Sequence, residues 1–135
     1  MTDNPQNNWK ILIVEDKKED IFLVEHEIKR VWPDSVVEYA ISVRDGFELI
    51  KQKKYDLIIL DLNLPDGFGP ATVADVRKAV GANMPIIVLT ELLTSITIEE
   101  SLKNGANDVL PKSKIRDAAF RDSMRQQIKK MQAAS

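Results

Sequence analysis

The sequence predicts an α/β fold: a five-stranded parallel sheet with helices on both faces. Short apolar, β-branched runs recur along the chain, and the segments between them carry apolar residues at helical spacing. Strands that alternate with helices form βαβ units, whose right-handed crossovers place helices on both sides of a parallel sheet. The length, 135 residues, fits one domain with a core of its own.

The elements follow in chain order. Lys10 to Val14 (KILIV) is a run suited to a strand buried on both faces, closed by Glu15 and Asp16. Ile21, Val24, Ile28 and Val31 then recur at helical spacing, and Pro33 and Asp34 end that helix. Ser35 to Ala40 is the second strand. Ser42 followed by Asp45 is a weak capping box for a second helix through about Lys51, within which Gly46 costs about 1 kcal/mol relative to Ala. Asp56 to Leu60 is the third strand, ending at Asp61. The turn residues Pro65, Asp66, Gly67 and Gly69 follow, then a helix from about Pro70 to Val80. Pro85 to Leu89 is the fourth strand, ending at Thr90. A short helix from about Ile96 to Lys103 is stopped by Asn104 and Gly105. Asp108 to Leu110 is the fifth strand, and a last helix from about Ile115 to Met131 turns Ala119, Met124 and Ile128 inward. Five such units suggest the flavodoxin-like doubly wound order 2-1-3-4-5. The expected domain covers 9–132, with a disordered polar tail over 1–8 and a frayed end over 133–135.

Composition narrows the function. The chain has no cysteine, which excludes disulfides, zinc-thiolate sites and thiol chemistry. A net charge of -2 gives no bulk attraction to nucleic acid or anionic lipid, so neither is an expected partner. No apolar run approaches the ~18 residues that span a bilayer. The first residues lack the basic start and apolar stretch of a signal peptide, and the expected location is the cytoplasm. His26, between Glu25 and Glu27, reads as a solvated side chain. The charges of the last helix (Arg116, Arg121, Arg125, Lys129, Lys130) read as a wet face, interrupted by Asp117 and Asp122.

Ligands of open parallel sheets bind outside the carboxyl ends of the strands. Here those ends carry Glu15 and Asp16, then Asp61, then Thr90, then Lys112. Each residue alone has a plainer reading: a helix or strand cap for the acids, strand propensity for Thr90, a solvated loop for Lys112. Together they form a set. Carboxylates held close repel one another, and a hard divalent cation such as Mg²⁺ relieves this through oxygen ligands. A carboxylate nucleophile, a metal, a lysine ammonium and a hydroxyl donor are the parts of a phosphoryl-transfer site.

On these residues the chain resembles a response-regulator receiver domain of two-component signalling, from about Lys10 to Met131. The matching motifs are ILIV-Glu15-Asp16, DLIIL-Asp61-LNL-Pro65, Pro85-IIVL-Thr90 and Gly105-ANDVLP-Lys112. The resemblance implies that Asp61 is the phosphoacceptor, in a protein that assists its own phosphorylation and dephosphorylation without being an enzyme. It implies Mg²⁺ held by Asp16, Asp61 and the backbone carbonyl of Asn63, with Glu15 acting mainly through water. Lys112 would pair with Asp61 and then with the phosphoryl group, and Thr90 would turn inward to bind that group. The donor would be a sensor histidine kinase or a histidine phosphotransfer protein. Signalling as a stand-alone receiver would pass to an unknown downstream protein or onward in a phosphorelay. The face of the fourth helix, fifth strand and fifth helix is where such domains meet partners or form homodimers.

Three positions depart from the family pattern. Glu91 stands where a small residue usually follows the threonine, and is expected to repel small anionic donors. Val109 stands where an aromatic ring usually swings with the threonine. Ser113 follows Lys112 in place of proline, so the Lys112–Ser113 peptide is expected to be trans. Two other classes compete: a receiver-like interaction module that works without phosphorylation, and a haloacid-dehalogenase-like hydrolase. The hydrolase would need a second aspartate where Asn63 stands. No Gly-x-x-x-x-Gly-Lys loop is present for a nucleotide.

Overall fold

The computed structural model describes residues 8–134. The expected polar tail falls outside the described residues except for Asn8, as does Ser135. The chain forms β1 (Lys10–Val14), α1 (Lys18–Val31), β2 (Val36–Ala40), α2 (Val43–Gln52), β3 (Leu57–Asp61), β4 (Asn63–Leu64), β5 (Gly67–Phe68), α3 (Ala71–Val80), β6 (Ile86–Thr90), α4 (Ser95–Lys103), β7 (Asp108–Pro111) and α5 (Ala118–Ala134). The main sheet is parallel, in the order β2-β1-β3-β6-β7. Counted on that sheet alone, this is the expected 2-1-3-4-5. Among the described residues no helix is long and apolar enough to cross a membrane.

The central strands β3 and β6 are buried at every position, and β1 at every position after Lys10. Helices cover both faces, so both side-chain rows of these strands must be apolar. One core layer joins Ile11, Ile13, Ile59 and Leu89 to α1 and α5. The other joins Leu12, Leu60, Ile86 and Val88 to α2 and α3.

The last helix begins at Ala118, after a short 3₁₀ turn over Lys112–Lys114, and not at Ile115. Its inward row is Phe120, Met124, Gln127 and Ile128. Ala119, expected to face inward, is exposed in the first turn of the helix, one turn ahead of the buried Ser123 on the same side. Ala133 and Ala134, expected to fray, continue the helix. Arg121 does not belong to a wet face. It reaches Glu27 on α1 at 2.7 Å, and Glu27 is buried. His26 is exposed, as expected.

The segment read as a turn after β3 forms the small antiparallel hairpin β4–β5. The hairpin is tied to α2, where the Asp66 carboxylate accepts the N–H groups of Val43 (2.9 Å) and Arg44 (3.0 Å). The Ser42 hydroxyl accepts from Asp45 N–H at 3.1 Å, so both side chains satisfy the opening donors of α2.

At the opposite end of the sheet, Arg77 donates to the carbonyls of Gly81, Met84 and Gly105 and to Asn107 Oδ1. It thereby pins α3, the entry to β6 and the end of α4. Gly105 has φ +114, and a Cβ there would lie 2.9 Å from Arg77 Cγ. Arg77→Ala leaves those acceptors without their charged donor and is expected to cost about 2 kcal/mol or more in urea unfolding. Gly105→Ala is expected to cost about 1–2 kcal/mol for its backbone strain. Crowding against Arg77 adds to that strain, and this added part should be smaller in the Arg77→Ala background, where Cγ and Nε are gone and only Cβ, 3.1 Å away, remains.

Candidate functional site

The carboxyl ends of four neighbouring strands meet at one edge of the sheet. Because β3 lies between β1 and β6, its last residue, Asp61, is flanked by Glu15 and Asp16 on one side and Thr90 on the other. The 3₁₀ turn that follows β7 brings Lys112 inward. Asp61, Glu15, Thr90 and Lys112 are buried and Asp16 is exposed. Carboxylate oxygens of Glu15, Asp16 and Asp61 lie within 4.8 Å of one another.

Hydrogen bonds distinguish the acids. Glu15 Oε1 accepts the N–H groups of Asp16 (3.0 Å) and Lys17 (3.1 Å), which close the first turn after β1. Its Oε2 pairs with Lys112 Nζ at 2.7 Å. Neither carboxylate oxygen of Asp61 has a hydrogen-bond partner among the described residues. Its nearest cation is Lys112 Nζ, 3.5 Å from Oδ1. The ammonium also meets Asp20 at 2.8 Å and, more loosely, Glu91 at 3.8 Å.

Burial pushes the Glu15 carboxyl up to about 7, against the pull of its bond to Lys112, and the charge of Asp61 adds to the rise. Burial alone would lower Lys112. Its bonds to Asp20 and Glu15 and the charge of Asp61 outweigh that effect and hold it above the ordinary lysine value. The cluster holds more negative than positive charge, and a buried carboxylate without donors is costly. The orphaned oxygens of Asp61 and the all-oxygen donor set of Glu15, Asp16 and Asp61 therefore fit a hard divalent cation such as Mg²⁺.

Among the described residues the Thr90 hydroxyl makes one long hydrogen bond, 3.5 Å to the Leu92 carbonyl, so little holds the hydroxyl where it is. Beside it opens a cavity of about 240 Å³ lined by Asn63, Phe68, Thr90, Leu92 and Thr97. Asn63 begins β4, two residues past Asp61. Val109 is buried in the core layer under α4. The Lys112–Ser113 peptide is trans, as no cis bond occurs among the described residues.

Two residues of the cluster were not foreseen. Asp20 lies in the first turn of α1, where an acid reads as a partner for the helix dipole. Its bond to Lys112 depends on the fold and leaves no local sequence signal. Lys17 pairs with Glu91 at 3.1 Å. Glu91, expected to repel small anionic donors, thus carries a counter-charge beside Thr90.

A family model described as the response regulator receiver domain matches residues 11–131. Over 104 residues the chain is 39% identical to the probable transcriptional regulatory protein SilR of Salmonella typhimurium, a match covering 76% of this chain and 44% of that protein. The chain spans about half the length of the curated relatives it matches. The BeF3-activated N-terminal receiver domain of Klebsiella pneumoniae RstA is 28% identical with a TM-score of 0.77, covering 88% of this chain and 97% of that one. A CheY-like response regulator receiver domain protein from Methanospirillum hungatei is 21% identical with a TM-score of 0.82, covering 94% and 98%, a likeness of fold alone. Receiver domains take phosphoryl groups on an aspartate, interact with histidine kinases or phosphotransfer proteins, and bind Mg²⁺ at an acidic pocket. This chain belongs to the response regulator receiver domain family.

Proposed function

We propose that the domain accepts a phosphoryl group on Asp61 from a phosphohistidine of a sensor kinase or phosphotransfer protein, and that the phosphorylated form signals by changed partner binding or by onward relay. The observation that carries this reading is the Asp61 carboxylate, buried with neither oxygen hydrogen-bonded among the described residues and an ammonium 3.5 Å away. Such a group keeps its lone pairs available for attack.

In the transfer, an Asp61 oxygen forms a bond to phosphorus as the phosphorus–nitrogen bond of the donor breaks. The imidazole nitrogen keeps that electron pair, and a proton on the other ring nitrogen leaves the histidine neutral. Lys112 is positioned to shift part of its charge from Glu15 and Asp20 onto the arriving phosphoryl oxygens. The Thr90 hydroxyl, weakly held, turns toward the same oxygens and draws the loop to α4 with it. Asp16, Asp61 and the Asn63 carbonyl would hold Mg²⁺, with Glu15 acting mainly through water. When bound, the ion supplies positive charge for the phosphoryl oxygens. Leu92, Ile96 and Leu102 are exposed on the loop after β6 and on α4, which suits a partner or a second copy meeting the face of α4, β7 and α5. We place the protein in the cytoplasm, where a kinase would present its phosphohistidine. As a phosphoacceptor it is not assigned an enzymatic activity.

Incubated with Mg²⁺ and a phosphohistidine donor, the protein is expected to gain the mass of one phosphoryl group, and Asp61→Asn is expected to gain none. Gain in the variant would move the acceptor elsewhere. No gain in the native chain with any donor would favour an interaction module that works without phosphorylation. Lys112→Met should slow the gain by about 100-fold or more, because one preorganised cation at a developing charge contributes on that scale. An unchanged rate would remove Lys112 from the transfer.

A further inference from the structure

Lys17 and Glu91 lie on opposite sides of the phosphoacceptor. Lys17 is in the loop after β1 and Glu91 in the loop after β6, and β3 is the strand between those two. An ion pair between these loops therefore crosses the carboxyl end of β3, where Asp61 stands. The pair is made, with Lys17 Nζ 3.1 Å from Glu91 Oε1. The same Glu91 oxygen lies 3.8 Å from Lys112 Nζ, which places it beside the cluster that holds Asp61. The two side chains are 47% and 54% exposed, while the Asp61 side chain beneath is 1% exposed. The bridge is on the solvent side and the acceptor is below it. Each partner directly follows a site residue, Lys17 after Asp16 and Glu91 after Thr90.

We propose that the Lys17–Glu91 ion pair is a latch over the phosphorylation site that slows small anionic phosphoryl donors on their way to Asp61. The proposal rests on the reading of Asp61 as phosphoacceptor and adds what controls its access. A donor such as acetyl phosphate is small and must reach the site when the bridge happens to be open. A protein donor docks on the loops that carry both partners and brings its own polar groups to compete for them. The latch also couples to the switch loop, because Glu91 cannot follow Thr90 inward without parting from Lys17. Solvent-exposed pairs of this kind shift an equilibrium by about two- to five-fold, so the latch grades access and does not seal the site.

The test is the rate of phosphoryl gain from acetyl phosphate with Mg²⁺, read by intact mass with Asp61→Asn as blank. In that reaction the bond between phosphorus and the acetyl oxygen breaks, acetate leaves with the electron pair, and an Asp61 oxygen forms the new bond. The informative variant is the double Lys17→Gln/Glu91→Gln, which removes the bridge and leaves net charge unchanged. It should gain phosphoryl about two- to five-fold faster than the native chain at low ionic strength, and the ratio should fall toward one in high salt as screening loosens the native bridge. Equal or slower labelling of the double variant at low salt would overturn the latch, since charges acting independently would cancel. A fast double variant with a salt-independent ratio would overturn it too, by assigning the effect to bulk. Failure of every protein to label at Asp61 from acetyl phosphate and from a phosphohistidine donor alike would instead overturn the reading of the acceptor, and the latch with it; labelling of the double variant from the phosphohistidine donor but not from acetyl phosphate would overturn the latch alone.

Discussion

The arrangement depends on one ammonium shared among carboxylates that would otherwise repel. Lys112 Nζ lies 2.7 Å from Glu15, 2.8 Å from Asp20 and 3.5 Å from Asp61, drawing together groups from the loop after β1, from α1 and from β3. One positive charge does not satisfy three negative ones. The shortfall shows in Glu15, pushed up by burial and by Asp61, and in the Asp61 oxygens, which have no hydrogen-bond partner among the described residues. A site left short of positive charge in this way is suited to a divalent cation and to a phosphoryl group that arrives with its own contacts.

The fold supplies the rigidity that keeps such a cluster from relaxing. The central strands are apolar on both sides, so they cannot shift to let Asp61 reach water. The hairpin after β3 is tied through Asp66 to the start of α2, and Arg77 binds α3, β6 and α4 together at the far end. The weakly held part is the loop after β6, where the Thr90 hydroxyl has a long contact and Glu91 an exposed ion pair. Stiff strands with one loosely held loop make a pocket whose occupancy can alter its rim.

Much of this was legible in the sequence, for a physical reason. Strands buried on both faces appear as unbroken apolar runs, and the polar residue that ends each run marks the sheet edge. Glu15, Asp16, Asp61, Thr90 and Lys112 were readable in that way. Asp20 and Lys17 were not, because their partners lie far along the chain and an acid or lysine at a helix start has ordinary local uses. Glu27 and Arg121 escaped for the same reason: each looks like a wet-face charge until α1 and α5 are packed together. Helix starts were also blurred. Thr94 caps α4 ahead of its first apolar residue, and a 3₁₀ turn delays α5 past Ile115.

Titration with beryllofluoride and Mg²⁺, followed residue by residue in heteronuclear NMR, tests the shared-ammonium pocket most directly. Saturable shifts at Asp61, Thr90, Leu92 and Lys112, absent when Mg²⁺ is withheld and absent in Asp61→Asn, are the expected result. Shifts that leave these residues untouched, or that persist in Asp61→Asn, would contradict a pocket that holds both a metal ion and a phosphoryl group.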